Sequence, residues 1–283
     1  MKIKILAADS MGVRSMATLV ETSDVKILID PAADLAPKRF GLPPHELEYA
    51  ALENSWKNIV RAAMSADVVI ITHYHYDHHS PEKFVNEIYR NKIVLVKDPT
   101  RKINESQRER ARIFLGKIKN IAKRIEIADG KILIFGDTVI WISEPVVHGI
   151  DNKLGFVLQV YIEDSNKSFL FSSDVQGYVK KEQFDFVMKM MPDIIFVDGP
   201  PTYLSEAIFS RKYLVQCAEN LKFILDEINP KLMILDHHLP RDLDFKKRLS
   251  EIFSYANVKT AAEFLGKPNN LLEAQRRELW KKS

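Results

Sequence analysis

The run His73-Tyr74-His75-Tyr76-Asp77-His78 puts four side chains able to bind metal or carry protons into six consecutive residues. It follows the apolar stretch Val68–Ile71. In the extended chain after such a stretch, His73 and His75 are two apart and point the same way, and Asp77 and His78 arrive one turn later. Imidazole nitrogens and a carboxylate crowded on one loop suit a divalent cation, with zinc, manganese and iron all compatible with that donor set. A solvated, purely structural loop would account for an isolated pair of histidines; four such residues at this spacing make it the weaker account.

Other polar residues sit directly after apolar runs. Asp30 follows Val25–Ile29, Asp198 follows Ile194–Val197, and Asp236-His237-His238 follows Leu232–Leu235. If those runs are strands that share a rim, the groups converge there, because rigid strands hold the loops that carry ligands.

His-x-His-x-Asp-His after an apolar strand is the signature of the metallo-β-lactamase superfamily, which this sequence resembles from residue 3 to about residue 240, and it also looks like a mainly archaeal branch of these hydrolases. Later positions match in the family's order: His148 in Glu144-Pro-Val-Val-His-Gly, Asp174 in Phe171-Ser-Ser-Asp-Val, and His237 in Leu235-Asp-His-His-Leu-Pro. The resemblance implies one metal held by His73, His75 and His148, a second held by Asp77, His78 and His237, and Asp174 bridging them. It implies two divalent ions, zinc before manganese or iron. Asp30 resembles the family's early structural aspartate, which supports the histidine loop from behind. Two cations sharing a water lower its pKa from 15.7 to about 7, roughly 12 kcal/mol in favour of hydroxide as the nucleophile. The expected catalytic residues are Asp77, at the metals, and His238.

Two histidines double a ligand position. The register of Leu232–Leu235 favours His237 over His238 as the ligand, which leaves His238 either to protonate a leaving group or to make a supporting hydrogen bond. His79 reads as a helix-start residue, with Pro81 in the first turn of the following helix. Asp198 is a site neighbour or a helix N-cap before Pro200 and Pro201. Arg14 could reach an anionic substrate group, but a surface hairpin turn is the simpler reading.

Between Arg101 and Arg124 there are nine Lys and Arg against two Glu. Phe114, Leu115, Ile118, Ile121, Ala122 and Ile125 form one apolar stripe, so the basic residues read as the outer, solvated face of a packed helix. Contact with the phosphates of a nucleic-acid strand is the functional alternative. Arg276-Arg277 and Lys281-Lys282 hint at the same more weakly, offset by Glu273 and Glu278.

The elements that must position these groups follow from hydrophobic period. Apolar runs at 3–7, 17–20, 25–29, 68–71, 93–96, 132–135, 139–142, 156–162, 169–171, 194–197 and 232–235 read as strands. Three-and-four spacing over 45–64, 81–90, 103–125, 181–191, 205–228, 242–253 and 270–282 reads as helices. Strands cluster in both halves with helices interspersed, an α/β or α+β arrangement that suits two sheets between helices. The family fold implied is a four-layer αββα sandwich. No repeat or Gly/Ser linker divides the 283 residues, so one domain over 1–283 is expected.

A net charge of +3 demands no anionic partner, and no signal peptide or membrane span is visible. The single cysteine, Cys217, excludes an intramolecular disulfide and a thiolate cluster, which suits a cytoplasmic protein, and reads as a buried helix residue. The 63 positions from Asp174 to His237 (237 − 174) are too few for the large inserted domain of RNA-processing nucleases of this superfamily, and no flavin domain follows. The expected activity is metal-dependent hydrolysis, with a small-molecule or nucleic-acid phosphodiester favoured. Thioesters and lactones are the alternatives, and a non-catalytic metal-binding scaffold is the alternative from another class.

Overall fold

In the computed structural model, which describes residues 1–165 and 167–282, the short apolar runs become strands of two sheets. The first comprises β1 (Lys2–Ile5), β2 (Thr18–Glu21) and β3 (Lys26–Ile29), then β4 (Val68–Ile71) after helix α1 (Glu46–Ala63), β5 (Ile93–Val96) after α2 (Val85–Tyr89), and β6 (Arg124–Ile127) after α3 (Glu105–Ile118). Its order is β1-β2-β3-β4-β5-β6, antiparallel as far as β3 and parallel from there.

The second half adds β7 (Ile132–Phe135), β8 (Thr138–Ile142), a small ribbon of β9 (Val146–Val147) and β10 (Phe156–Val157), β11 (Val160–Glu163) and β12 (Ser168–Phe171). Then come α4 (Lys181–Met190), β13 (Ile194–Asp198), α5 (Arg211–Glu227), β14 (Leu232–Asp236), α6 (Phe245–Arg248), α7 (Ser250–Phe253), β15 (Val258–Lys259), α8 (Ala261–Phe264) and α9 (Leu272–Lys282). The second sheet runs β15-β14-β13-β12-β11-β8-β7, parallel from β15 to β12 and antiparallel beyond.

Side-chain alternation decides the layering. In β3 and β4, Ile27, Ile29, Val68 and Ile70 pack against Ile140, Ile162, Phe171 and Phe196 of the other sheet. Their neighbours Leu28, Val69 and Ile71 point the opposite way, onto Trp56, Ile59, Ile88 and Phe114 of α1 to α3. Leu170, Ile195, Val197, Met233 and Leu235 likewise face Val187, Leu221 and Ile224 of α4 and α5. The order is helix, sheet, sheet, helix, the four-layer αββα sandwich expected. Because both faces of the parallel strands are covered, their sequences read as unbroken apolar runs. Helix starts carry local signals: the Asn104 side chain accepts from the Gln107 amide at 2.8 Å, and the Glu48 carboxylate accepts from the His45 amide at 2.8 Å.

Several boundaries differ from the sequence reading. The helix expected over 103–125 ends at Ile118, and residues 124–127 pair with β5 instead; Ile125 keeps its place against the core because alternation in the strand coincides there with helical spacing. Sheet hydrogen bonds override the local period. The run 156–162 breaks into β10 and β11, the stretch 242–253 into two four-residue helices, and α5 starts at Arg211 rather than 205. Pro81 lies ahead of α2, which starts at Val85, so it does not form that helix's first turn.

Candidate metal centre

The parallel strands β3, β4, β12, β13 and β14 deliver their carboxyl ends to one rim, and the chemistry-bearing residues follow them: Asp30, His73 to His78, Asp174, Asp198, and His237 with His238. His148 arrives from the loop after β9. Asp30, Ser173 and His237 adopt left-handed backbone angles (φ 46°, 54° and 64°), strained turns that aim side chains into the rim. Gly149 is also left-handed at φ 67°; its amide donates to the Asp174 carbonyl at 3.1 Å, and a Cβ there would collide with Gln176. The His148 and Asp174 loops are thereby tied together.

Asp174 is the pivot. Its Oδ2 lies 3.0 Å from His148 Nε2 and 3.6 Å from His73 Nε2, and its Oδ1 lies 3.1 Å from His78 Nε2 and 3.4 Å from His237 Nε2. Asp77 stands 3.9 Å from His78 Nε2 and 3.8 Å from His237 Nε2. Donor atoms of His73, His75, His148 and Asp174 fall within 4.8 Å of one another, as do those of Asp77, His78 and His237. The two sets are the ones implied by the family resemblance.

These residues fit a pair of cations. His73 Nε2, His78 Nε2 and Asp174 Oδ1 are buried and have no hydrogen-bond partner among the described residues; His78 Nε2 and Asp174 Oδ1 are 3.1 Å apart without the alignment of a hydrogen bond. Buried polar atoms left unpaired cost free energy of a few kcal/mol each unless something else binds them, and here they converge on one gap.

Behind the donors, the support is unequal. His78 Nδ1 is 2.8 Å from Asp30 Oδ2, and the Asp30 carboxylate also accepts from the Thr72 amide at 2.8 Å and the Thr72 hydroxyl at 2.6 Å. His237 Nδ1 is 2.8 Å from Asp9 Oδ2, whose partner oxygen accepts from Arg241 Nε at 2.6 Å. His73 Nδ1 meets only hydroxyls, Thr72 Oγ1 at 3.2 Å and Ser173 Oγ at 3.4 Å. His238 Nδ1 is 2.9 Å from Asp198 Oδ1, and a donor atom of His238 lies within 4.8 Å of those of Asp174 and His237.

The protonation of the ion-free chain follows this layout. Burial, reinforced by the His78 charge, pulls His73 well below its usual value, and burial with His148 takes His75 down to about 3. His78 goes the other way, to about 10, because Asp174 and Asp77 outweigh its burial. His237 is raised well above its usual value for the same reason, through Asp174 and Asp9. Asp174 is buried and Asp77 half-buried, yet both are held low by these two imidazolium groups. Burial pushes Asp198 up and His238 down, which disfavours the charged form of each.

Several sequence readings change. Asp198 is a site neighbour, accepting from the His238 and Gln176 amides at 3.1 and 2.9 Å, and caps no helix. His79 is no helix-start residue: it is buried between Tyr74 and Phe114, with Nδ1 2.9 Å from the His75 carbonyl, and it braces the ligand loop. Arg14 forms no hairpin turn; it grips Glu273 of α9 through two bonds of 2.6 and 2.7 Å. Arg276 is wholly buried against Glu48 at 2.6 and 2.8 Å, so of the Arg276-Arg277 pair only Arg277 faces outward. On α3, Arg108 and Arg112 pair with Glu105 and Glu109 at 2.8 and 2.7 Å, which reduces the free charge of that face.

Asp9 and Arg241 were missed. Asp9 obeys the rule that found Asp30, a carboxylate after an apolar run (3–7), and could have been picked out. Arg241 carried no such signal. Cys217 is buried on α5, its thiol 3.3 Å from the Gln176 carbonyl, and burial raises its pKa. No helix among the described residues is long and apolar enough to cross a membrane.

Residues 11–217 match the family described as the metallo-beta-lactamase superfamily. A UPF0282 protein of Korarchaeum cryptofilum is 48% identical, over 99% of this chain and 94% of its own. One of Sulfurisphaera tokodaii is 47% identical, over 100% and 94%. Among solved structures, an isothiocyanate hydrolase from Delia radicum gut bacteria superposes with a TM-score of 0.52 at 15% identity, over 84% of each chain, a likeness of fold alone.

Proposed function

Since this chain belongs to the metallo-beta-lactamase superfamily of metal-dependent hydrolases, and within it to the archaeal UPF0282 proteins, we propose that it is a two-metal phosphodiesterase. The observation that carries this reading is Asp174, which turns one oxygen to His73 and His148 and the other to His78 and His237. His73, His75 and His148 would hold one ion, Asp77, His78 and His237 the other, and Asp174 would bridge, with zinc, manganese and iron all suited to the donors. When bound, such a pair acidifies water toward neutrality and stabilises the attacking and leaving oxygens of an in-line displacement.

The chain's own residues supply the remainder. Asp30 and Asp9 fix the ring orientation of His78 and His237, so that each presents Nε2 to the gap. Arg241, buried, with Nη2 3.9 Å from Asp77 Oδ2 and 3.4 Å from His237 Nε2, adds a fixed positive charge beside the gap that favours an anionic substrate. The Asp198–His238 pair, with Asp198 carrying a proton, acts as the proton donor: His238 gives its Nε2 proton to the departing oxygen while Asp198 passes its proton to Nδ1. The departing group leaves as its protonated alcohol, and the pair is left as imidazole and carboxylate.

Metal-loaded protein should hydrolyse a phosphodiester in a screen that also offers a thioester and a lactone. Turnover of those two with no diester cleavage under zinc, manganese or iron would move the reading to acyl substrates. His238→Ala should keep its metal and lose about 10²- to 10⁴-fold in turnover, whereas His237→Ala should lose metal. Equal metal loss in both would show that His238 is a ligand.

A further inference from the structure

Two groups of aromatic rings that carry guanidinium groups, one at Tyr76 in the ligand loop and one at Phe40 and Tyr203, are joined to the metal-ligand residues, and we infer that they are the two flanks of a stacking surface for single-stranded nucleic acid. The scissile phosphate would lie over the ligands between them. The inference rests on the phosphodiester reading and names its substrate class. On one flank, Tyr76 stands inside the ligand loop between His75 and Asp77 and is 42% exposed. Arg110 of α3 lies 4.7 Å from its ring centroid, and the Arg110 guanidinium donates to the Tyr74 carbonyl at 3.4 Å.

On the other flank, Arg39 lies 4.4 Å from the Tyr203 ring centroid and 4.8 Å from that of Phe40, while Arg277 lies 4.7 Å from Phe40. This series connects to the cleft: Arg39 Nη2 donates to the Arg241 carbonyl at 3.1 Å, and the Arg241 side chain reaches Asp77. Phe40 is 44% exposed and sits at φ 56°, a left-handed turn that holds the ring out from the body of the protein.

Tyr76 and Phe40 remain open to solvent beside buried ligands. A guanidinium held flat against a ring keeps its edge N–H groups available to phosphate oxygens, and an aromatic face accepts any base. Arg39, Arg110, Arg241 and Arg277 bring positive charge to this path. Glu273, 3.9 Å from Arg39 Nε, is engaged by Arg14 at 2.6 Å, and Asp34 and Glu82 line the hollow at Tyr76, where Arg110 sets a positive charge against them. His73, His78 and His237 are fully buried below the rim, a depth that a flexible single strand reaches more readily than a stacked duplex.

The test is fluorescence anisotropy of the zinc-loaded protein with a labelled phosphorothioate single-stranded oligonucleotide at low salt. Tyr76→Leu, Phe40→Ala and Tyr203→Leu should each weaken binding by roughly 5- to 100-fold, the loss of one stacked base, with zinc content retained. Tyr76→Phe, which keeps the ring, should bind as the unaltered protein does. Arg277→Ala, at an exposed position, should lower the salt slope by about 1. A strand with abasic sites should bind more weakly and be indifferent to Tyr76→Leu, an outcome that a general loss of fold does not produce. Absence of binding by the unaltered protein, unchanged affinity in the ring variants, or preference for a duplex would overturn the inference. Turnover of bis(p-nitrophenyl) phosphate by the unaltered protein, measured alongside, reports on the phosphodiester reading alone.

Discussion

The two halves of the metal centre are built from similar donors but backed by different chemistry. His73 is supported by hydroxyls, and His148 Nδ1 has no hydrogen-bond partner among the described residues, whereas His78 and His237 each lean on a buried carboxylate at 2.8 Å. A carboxylate behind an imidazole fixes its tautomer and strengthens it as a ligand. In the ion-free chain His73 and His75 are neutral, and His78 and His237 hold protons where a cation would sit, chiefly because Asp174 stands beside them, with Asp77 adding to His78 and Asp9 to His237. The lesson is that equal ligand types need not give equal sites. Once its imidazoles are deprotonated, the Asp77/His78/His237 half should bind its ion more tightly than the His73/His75/His148 half.

The largest effect belongs to the residue the halves share. Asp174→Ala should cost metal from both, measured as ions per chain by elemental analysis; full retention of two ions would show that it bridges nothing. Next comes the backing itself. Asp30→Asn and Asp9→Asn should each weaken the tighter site by about 10- to 100-fold in a competitive chelator titration. Thr72→Val, which removes one hydroxyl from the Asp30 and His73 network, should cost less than Asp30→Asn. If it costs more, the proposed asymmetry is wrong.

Protons sharpen the same contrast. At about pH 7 the ion-free chain carries protons on His78, raised to about 10, and on His237, raised well above its usual value. Filling the tighter site in weak buffer should therefore release about two protons, and filling the other should release fewer, since His73 and His75 are already neutral. The sign for stability follows. The folded-state values are raised, so the stabilisation is complete below the unfolded value near 6.5, and it is lost as pH rises through about 10 in the ion-free protein. A melting temperature of the ion-free protein that does not fall over that range would contradict it.

The smallest effect lies further out, where Arg14 and Glu273 join α9 to the Asp9 side of the centre. Burial disfavours the Glu273 carboxylate, but Arg14 takes its pKa down to about 2. A depressed carboxylate stabilises above its unfolded value and ceases to do so as pH falls through the folded one. Glu273→Gln should cost at most about 3 kcal/mol above pH 5, and the difference from the unaltered protein should vanish near pH 2. A difference independent of pH in denaturant unfolding would assign the effect to packing instead.

By itself the sequence determined the contiguous part of this protein. His73, His75, Asp77 and His78 could be read from six residues, because a strand end and a two-residue period fix their directions locally. The unbroken apolar runs announced strands covered on both faces, and with them the layered fold. Asp30, Asp174 and His237 were within reach because each sits at or just beyond a strand end. What only the tertiary structure decided is what those residues lean on. Asp9 meets His237 across 228 positions, Asp198 meets His238 across 40, and Glu273 meets Arg14 across 259. No local period encodes such pairs. They exist because parallel strands from different parts of the chain end on one rim, where burial strips away water and leaves each charge to be answered by whichever side chain the fold has brought beside it.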